Sequence, residues 1–386
     1  MSRKFERAKP AALRDTIQRV HESYLRGASR LPSKVVLDQH GSTPQQELFR
    51  NVEARVGSSD LVLLGICTAA YSRGLEAARE GRFMEACRHL GDARAIQESP
   101  NLSQEAQVLA KAFLFAAEAY MEYRCGNHEK ARRRLLAAIV ADQILEDTYG
   151  YKLLHAHRLH LINNLVRIEA QQGNLELALE MSAHLASYMQ GTSADAPAPG
   201  SWGRSYCQAL PRNLIDAKLV ETMGEIGQAL AGWSPQEGSR LFEIIEKKMP
   251  IRNPELWHPL AYQWFSTKRA FFMESIERYL EMASDYLQVG VTEAPALWRL
   301  VALDVVVAAE TVPFPESLGL RRDILRDAAA WKTASMGIRS VALHLSSKLE
   351  KDSLSLAHDG EVRDGSTDSA LKSALPSKEF SRPDKH

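Results

Sequence analysis

An all-α chain is predicted by three features of the 386-residue sequence. Apolar residues recur at three- and four-residue steps along most of its length, with Ala, Leu, Glu, Arg and Gln between them. Strand-like alternation is nearly absent. The third feature is punctuation. Ser42-Thr43-Pro44 with Glu47, Ser103, and Ser234-Pro235 carry helix-start chemistry, in which a hydroxyl caps the first turn and proline tolerates it. Gly81, Gly126, Gly173 and Gly191 carry stop chemistry, because glycine reaches the left-handed backbone conformation without a steric penalty.

Residues 1–58 read as N-terminal basic helices. Between Met1 and Lys34 nine basic residues stand against three acidic ones, a local charge of +6 in a chain whose 48 basic and 48 acidic residues cancel overall. No helix-turn-helix, zinc finger or interleaved aromatic platform accompanies them. The expected role is a solubilising or partner-docking helix, with nucleic-acid contact as the alternative.

Residues 59–190 contain the most informative pattern. Gly74, Ala77, Gly81, Phe83, Ala86, Leu90 and Ala93 form one set; Ala119, Gly126, His128, Ala131, Leu135 and Ala138 repeat its offsets, as do Val166, Gly173, Leu175, Ala178, Ser182 and Leu185. A turn glycine ends one helix, and a small residue five positions later lets the next helix pack closely. The pattern reads as antiparallel helical hairpins, with a degenerate fourth copy centred on Gly232 that places Leu241 and Ile244 at the apolar offsets.

These residues resemble the tetratricopeptide repeat (TPR), matched best by Gly74, Phe83 and Ala86. The central glycines are 45 and 47 residues apart, longer than the family's roughly 34-residue period, so longer helices or connections must absorb the difference. The resemblance implies a TPR-like α-solenoid whose first helices line a concave groove. Positions two, six and ten before each glycine then face that groove: Arg79, Leu75 and Tyr71; Arg124, Tyr120 and Ala116; Gln171, Arg167 and Asn163, with His160 and Asn164 close by. Tyr, Arg, Asn and Gln suit an extended peptide, since Arg and Asn bond carbonyls or a carboxylate while Tyr packs. The family's carboxylate clamp uses Lys, Asn and Arg on these helices. Arg124, Asn163 and Arg167 reproduce part of it, which implies capture of a peptide C-terminus.

Gly191 to Gly203 is a Pro/Gly/Ser linker, and 204–349 reads as the degenerate repeat followed by C-terminal helices, with helical segments at 292–310 and 316–348. Trp257, Tyr262, Trp264, Phe265, Phe271 and Phe272 form an aromatic band there, expected to be core, with a ligand pocket as the alternative; a polar constellation buried near Trp257 and Trp264 would favour a third reading, an enzyme with its site in these helices. From 350 to 386 too few large apolar residues remain to offset the entropy of ordering, which predicts a disordered tail.

Chemistry-bearing motifs are sparse. Of His155, His157 and His160 only the last two lie on neighbouring faces of a helix, and they lack a third ligand, so no metal and no cofactor is expected. Gly-x-Ser-x-Gly elbows and phosphate-binding glycine loops are missing. Four scattered cysteines and the lack of an apolar leader or long apolar run point to a cytoplasmic chain with no membrane span. The functional expectation is a non-catalytic, protein- or peptide-binding adaptor or regulator. The alternative is a signal-sensing regulator whose basic N-terminus touches nucleic acid.

Overall fold

The computed structural model describes residues 10–30, 44–193, 202–249, 255, 257–292 and 294–361. These residues form sixteen helices and no strand. In chain order they are α1 Pro10–Ala28, α2 Pro44–Arg55, α3 Ser58–Arg79, α4 Phe83–Gln97, α5 Gln104–Arg124, α6 His128–Tyr149, α7 Leu154–Gln171 and α8 Leu175–Met189. There follow the short α9 Arg204–Gln208, α10 Arg212–Ala229, α11 Pro235–Lys248, α12 Pro259–Met273, α13 Ile276–Val289, α14 Pro295–Glu310, α15 Pro315–Ala329 and α16 Met336–Glu361.

Two of the three predicted start signals act as caps, while Ser42 and Thr43 of the third lie outside the described residues. Ser103 Oγ accepts from the Ala106 N–H at 3.3 Å, and Ser234 with Glu237 forms a reciprocal capping box ahead of Pro235. A cap that the sequence reading passed over, Ser335, accepts from the Ile338 N–H and divides the expected 316–348 helix into α15 and α16. Helix α16 runs to Glu361, inside the segment predicted as tail; residues 362–386 lie outside the described residues, as do 194–201 of the predicted linker.

Gly81, Gly126 and Gly173 adopt φ of 78°, 78° and 83°. Behind each one the next N–H reaches back five residues: Arg82 to the Ala77 carbonyl, Asn127 to Glu122 and Asn174 to Glu169, at 2.8, 2.9 and 3.0 Å. This closure satisfies a helix-end carbonyl and requires the left-handed residue in between. The next helix begins two residues after each glycine. Its small residue, Ala86, Ala131 or Ala178, is fully buried in all three places, as are the residues nine and twelve positions after the glycine. At Gly74 a Cβ would sit 2.9 Å from the Leu90 side chain, so α3 and α4 approach too closely there for any larger residue. Helix α3 packs on α4 and α5, α6 on α5 and α7, and α8 on α7, α10 and α11.

At Gly232 the corner is again left-handed, φ 82°, but the expected apolar positions are displaced. Leu241 and Ile244 are half-buried, whereas Phe242 and Ile245 are fully buried. The cause is the Ser234-Pro235 cap, which starts α11 three residues after the glycine instead of two and slides every inward position by one. The small residue slides with them. Gly238 occupies that place, and a Cβ on it would meet Phe272 at 2.3 Å.

Helix α1 packs against α13 and α15 at the opposite end of the chain. Ile17, Val20 and Tyr24 are fully buried, Tyr24 stacks on Trp298 at 5.3 Å, and its hydroxyl donates to Asp327 at 2.9 Å. His21 meets Asp323, and Arg14 bonds Glu316. The remaining basic residues before Pro10 and at Lys34 lie outside the described residues. Within the C-terminal core, Trp257, Trp264, Phe265, Phe271 and Phe272 are buried, and Tyr262 packs against them. Among these rings Lys268 donates to both Asp304 oxygens at 2.7 Å, with both side chains almost completely enclosed. Helix α3 is long and apolar enough by composition to cross a bilayer; 28% of its most apolar stretch is buried, and Val62 and Ile66 are exposed.

Two stability outcomes are expected. Ala86→Trp should overpack the α3–α4 contact and cost about 3 kcal/mol or more, read as a lowered urea midpoint; an unchanged midpoint would contradict the close contact. Lys268→Met should cost about 3–5 kcal/mol by stranding Asp304, and adding Asp304→Leu should recover most of that loss. Equal losses in the single and double variants would contradict an origin in the ion pair.

Candidate functional site

A cavity of about 80 Å³ lies between α5, α6 and α7. Three of the residues picked by their distance from a turn glycine or by proximity, Tyr120, Asn164 and Arg167, line it together. The apolar wall comes from Ala116, Ala119 and Tyr123 of α5, Leu135 of α6 and Ile168 of α7. Space exists because Ala116 and Ala119 carry no side chain beyond Cβ. Ala116 is also the ten-before position of the second segment, so the rule reaches a fourth residue of this wall.

The polar edge is an ionic network shared with α10. Arg167 donates to Glu225 through Nε at 2.8 Å and to Asn164 Oδ1 at 2.6 Å, and its second guanidinium nitrogen reaches Glu221 at 3.5 Å. His160 Nδ1 meets Glu221 at 2.7 Å, and Lys218 donates to the other Glu221 oxygen at 2.9 Å. Burial by itself raises the Glu221 pKa; hydrogen bonds and charge from His160 and Lys218 overcome it and hold the carboxyl at about 2. Glu225 is more deeply enclosed, and there burial pushes the carboxyl above its ordinary range against the pull of Arg167. The Arg167 charge is therefore already matched inside the protein.

Arg124 has a different environment. Its Nη1 donates to the Tyr120 hydroxyl at 3.1 Å and to the Arg79 carbonyl at 3.2 Å, with the guanidinium 5.9 Å from the Tyr120 ring centre. Among the described residues no carboxylate pairs with it. The Arg79 side chain is exposed, as is Gln171, while Tyr71 and Leu75 are half-buried against the α3–α5 cluster. Asn163 departs from the expectation. It is fully buried, its Oδ1 accepting from the Thr222 hydroxyl at 3.1 Å, so it faces α10 and lines no open surface. The three histidines diverge as well: His155 meets Glu146, His157 meets Asp142, and His160 meets Glu221.

Sequence reasoning passed over Tyr123, Lys218, Glu221 and Glu225. A signal for the carboxylates was present, since Glu221 and Glu225 sit four apart and share a helix face, but it needed α10 placed beside α7.

Arg167→Glu should put a third carboxylate beside Glu221 and Glu225. We expect a loss of about 2–3 kcal/mol in urea unfolding, below the ~3–5 of a fully enclosed pair because Arg167 keeps 36% of its side chain in solvent. Arg124→Glu should be nearly neutral, and a reversed order of the two losses would contradict the network. A carboxyl held below its ordinary value of 4.5 contributes stability that is present above that pH and disappears as pH falls toward 2. Glu221→Gln should therefore flatten the acid-unfolding profile between those limits; an unaltered profile would contradict the assignment.

No protein-family model matches the chain, and neither the curated proteins nor the solved structures yield a match.

Proposed function

We propose that the chain is a non-catalytic helical-repeat protein, TPR-like in plan, that binds an extended peptide along the inner helices α3, α5 and α7 as an adaptor or regulator. The repeat reading is supported by the common left-handed corners and by the shared buried offsets after Gly81, Gly126 and Gly173. The observation that carries the binding reading is the meeting of Ala116, Tyr120, Asn164 and Arg167 at one cavity, with Arg124 beside it and no carboxylate to match its charge.

The chemistry of that site defines a ligand class. Arg124 supplies donors for a carboxylate, and Tyr120 and Tyr123 supply flat apolar surface. About 80 Å³ is several times the ~10–15 Å³ that holds one water and falls short of the ~150 Å³ that accepts benzene, which favours a small aliphatic side chain over an aromatic one. The ligand is an extended segment with a small aliphatic residue next to a carboxylate, either an acidic side chain or the peptide C-terminus.

Selection from a displayed random peptide library with free C-termini tests this. The wild-type chain should enrich that pattern, while Arg124→Glu and Ala116→Leu, the second of which fills the cavity, should each lose the enrichment and stay folded by circular dichroism. Enrichment that is absent, or unchanged in both variants, would contradict the reading.

A further inference from the structure

Outside the inner-helix site, two clefts lie side by side on the face made by α4 and α6. One, about 240 Å³, lies between Cys87, Leu90, Gly91 and Arg94 of α4, Met121 of α5 and Arg134 of α6. The other, about 420 Å³, is lined by Glu122, Lys130, Arg133 and Arg134. Glu122 and Arg134 border both, so the two adjoin. We propose that these two adjoining clefts form a second binding surface, for an acidic amphipathic segment of a partner protein.

Its floor and its rim have different chemistry. Met121 and Cys87 offer apolar surface beside the buried Leu90, and at Gly91 an added Cβ would meet nothing within 4 Å, which leaves a notch in the α4 wall. Arg94, Lys130, Arg133 and Arg134 stand around it. Glu118, only 4% exposed, accepts from Arg94 Nε at 3.0 Å and lies 3.0 Å from Arg134 Nε, so a buried anion holds two of the four cations against the wall. Glu122 is engaged by the Asn127 amide at 2.7 Å. Lys130 and Arg133 are exposed and enter no ion pair among the described residues. Opposite charge on a partner would steer it toward these two cations, and the apolar floor would retain one or two of its side chains.

Nucleic acid fits this surface less well. The cleft lining holds no aromatic side chain for base stacking, and Glu122 interrupts the positive rim that a continuous phosphate backbone needs.

The test uses the full chain and a fluorescein-labelled helical peptide with leucines along one face and glutamates elsewhere. Fluorescence anisotropy should show saturable binding that weakens with added salt. Lys130→Glu combined with Arg133→Glu should weaken it by about tenfold or more, as should Gly91→Leu, which closes the notch without altering charge. Arg124→Glu, in the inner-helix site, should leave it unchanged, which separates failure here from failure there. Circular dichroism should show all variants folded, as expected for exposed positions and for replacing a helical glycine. Absence of binding, equal binding by a leucine-free polyglutamate, equal affinity in the cleft variants, or tighter binding of a single-stranded oligonucleotide would overturn the proposal.

Discussion

The left-handed corner coupled to a close helix contact is the constraint on which the arrangement of α3 to α8 depends. Glycine at the corner lets one helix end with its last carbonyls bonded. The fully buried alanine five residues later then fixes how near the next helix lies and which of its faces turns inward. The two parts work only together, because a helix that starts one residue late presents a different face. That coupling is visible at Gly232, where the Ser234 cap delays the start and Phe242 and Ile245 take the inward places.

Charge is organised by the same packing. Several acids are enclosed between helices and meet a cation from another element: Glu118 with Arg94 and Arg134, Glu169 with Arg132, Glu146 with Arg158, Glu225 with Arg167, and Asp304 with Lys268. Such pairs add little net stability compared with well-packed apolar groups, yet each is strongly unfavourable when one partner is displaced. They disfavour helix arrangements that separate the partners. A balanced composition of 48 basic and 48 acidic residues is thus partly internal pairing, and Arg124 on one face and Lys130 with Arg133 on another are among the cations that face outward without a carboxylate partner among the described residues.

The all-α class and the corner glycines were legible because both follow from local rules: helical periodicity and the left-handed preference of glycine. Tyr120, Asn164 and Arg167 were legible at one remove, by position relative to those corners. Asn163 was not, since the burial of a residue on the flank of a helix depends on how the next helix crosses it, and α10 follows only after the Gly191–Gly203 stretch. For α1 the obstacle is distance. Its partners Ser284, Trp298 and Asp327 lie near the other end of the chain, and an amphipathic basic helix looks the same in sequence whether its apolar face meets a partner or the chain's own C-terminal helices. The one-residue slip at Gly232, by contrast, was written in Ser234-Pro235, where a stronger start signal overrides the glycine offset.

Hydrogen exchange read by mass spectrometry, on the full chain with and without the tightest peptide from the display selection, probes the proposed site at the cavity between α5, α6 and α7 most directly. Binding there predicts added protection in α5 and α7 around Tyr120, Arg124 and Asn164, with α12 to α15 unchanged. Protection confined to α4 and α6, or to the C-terminal helices, would contradict it.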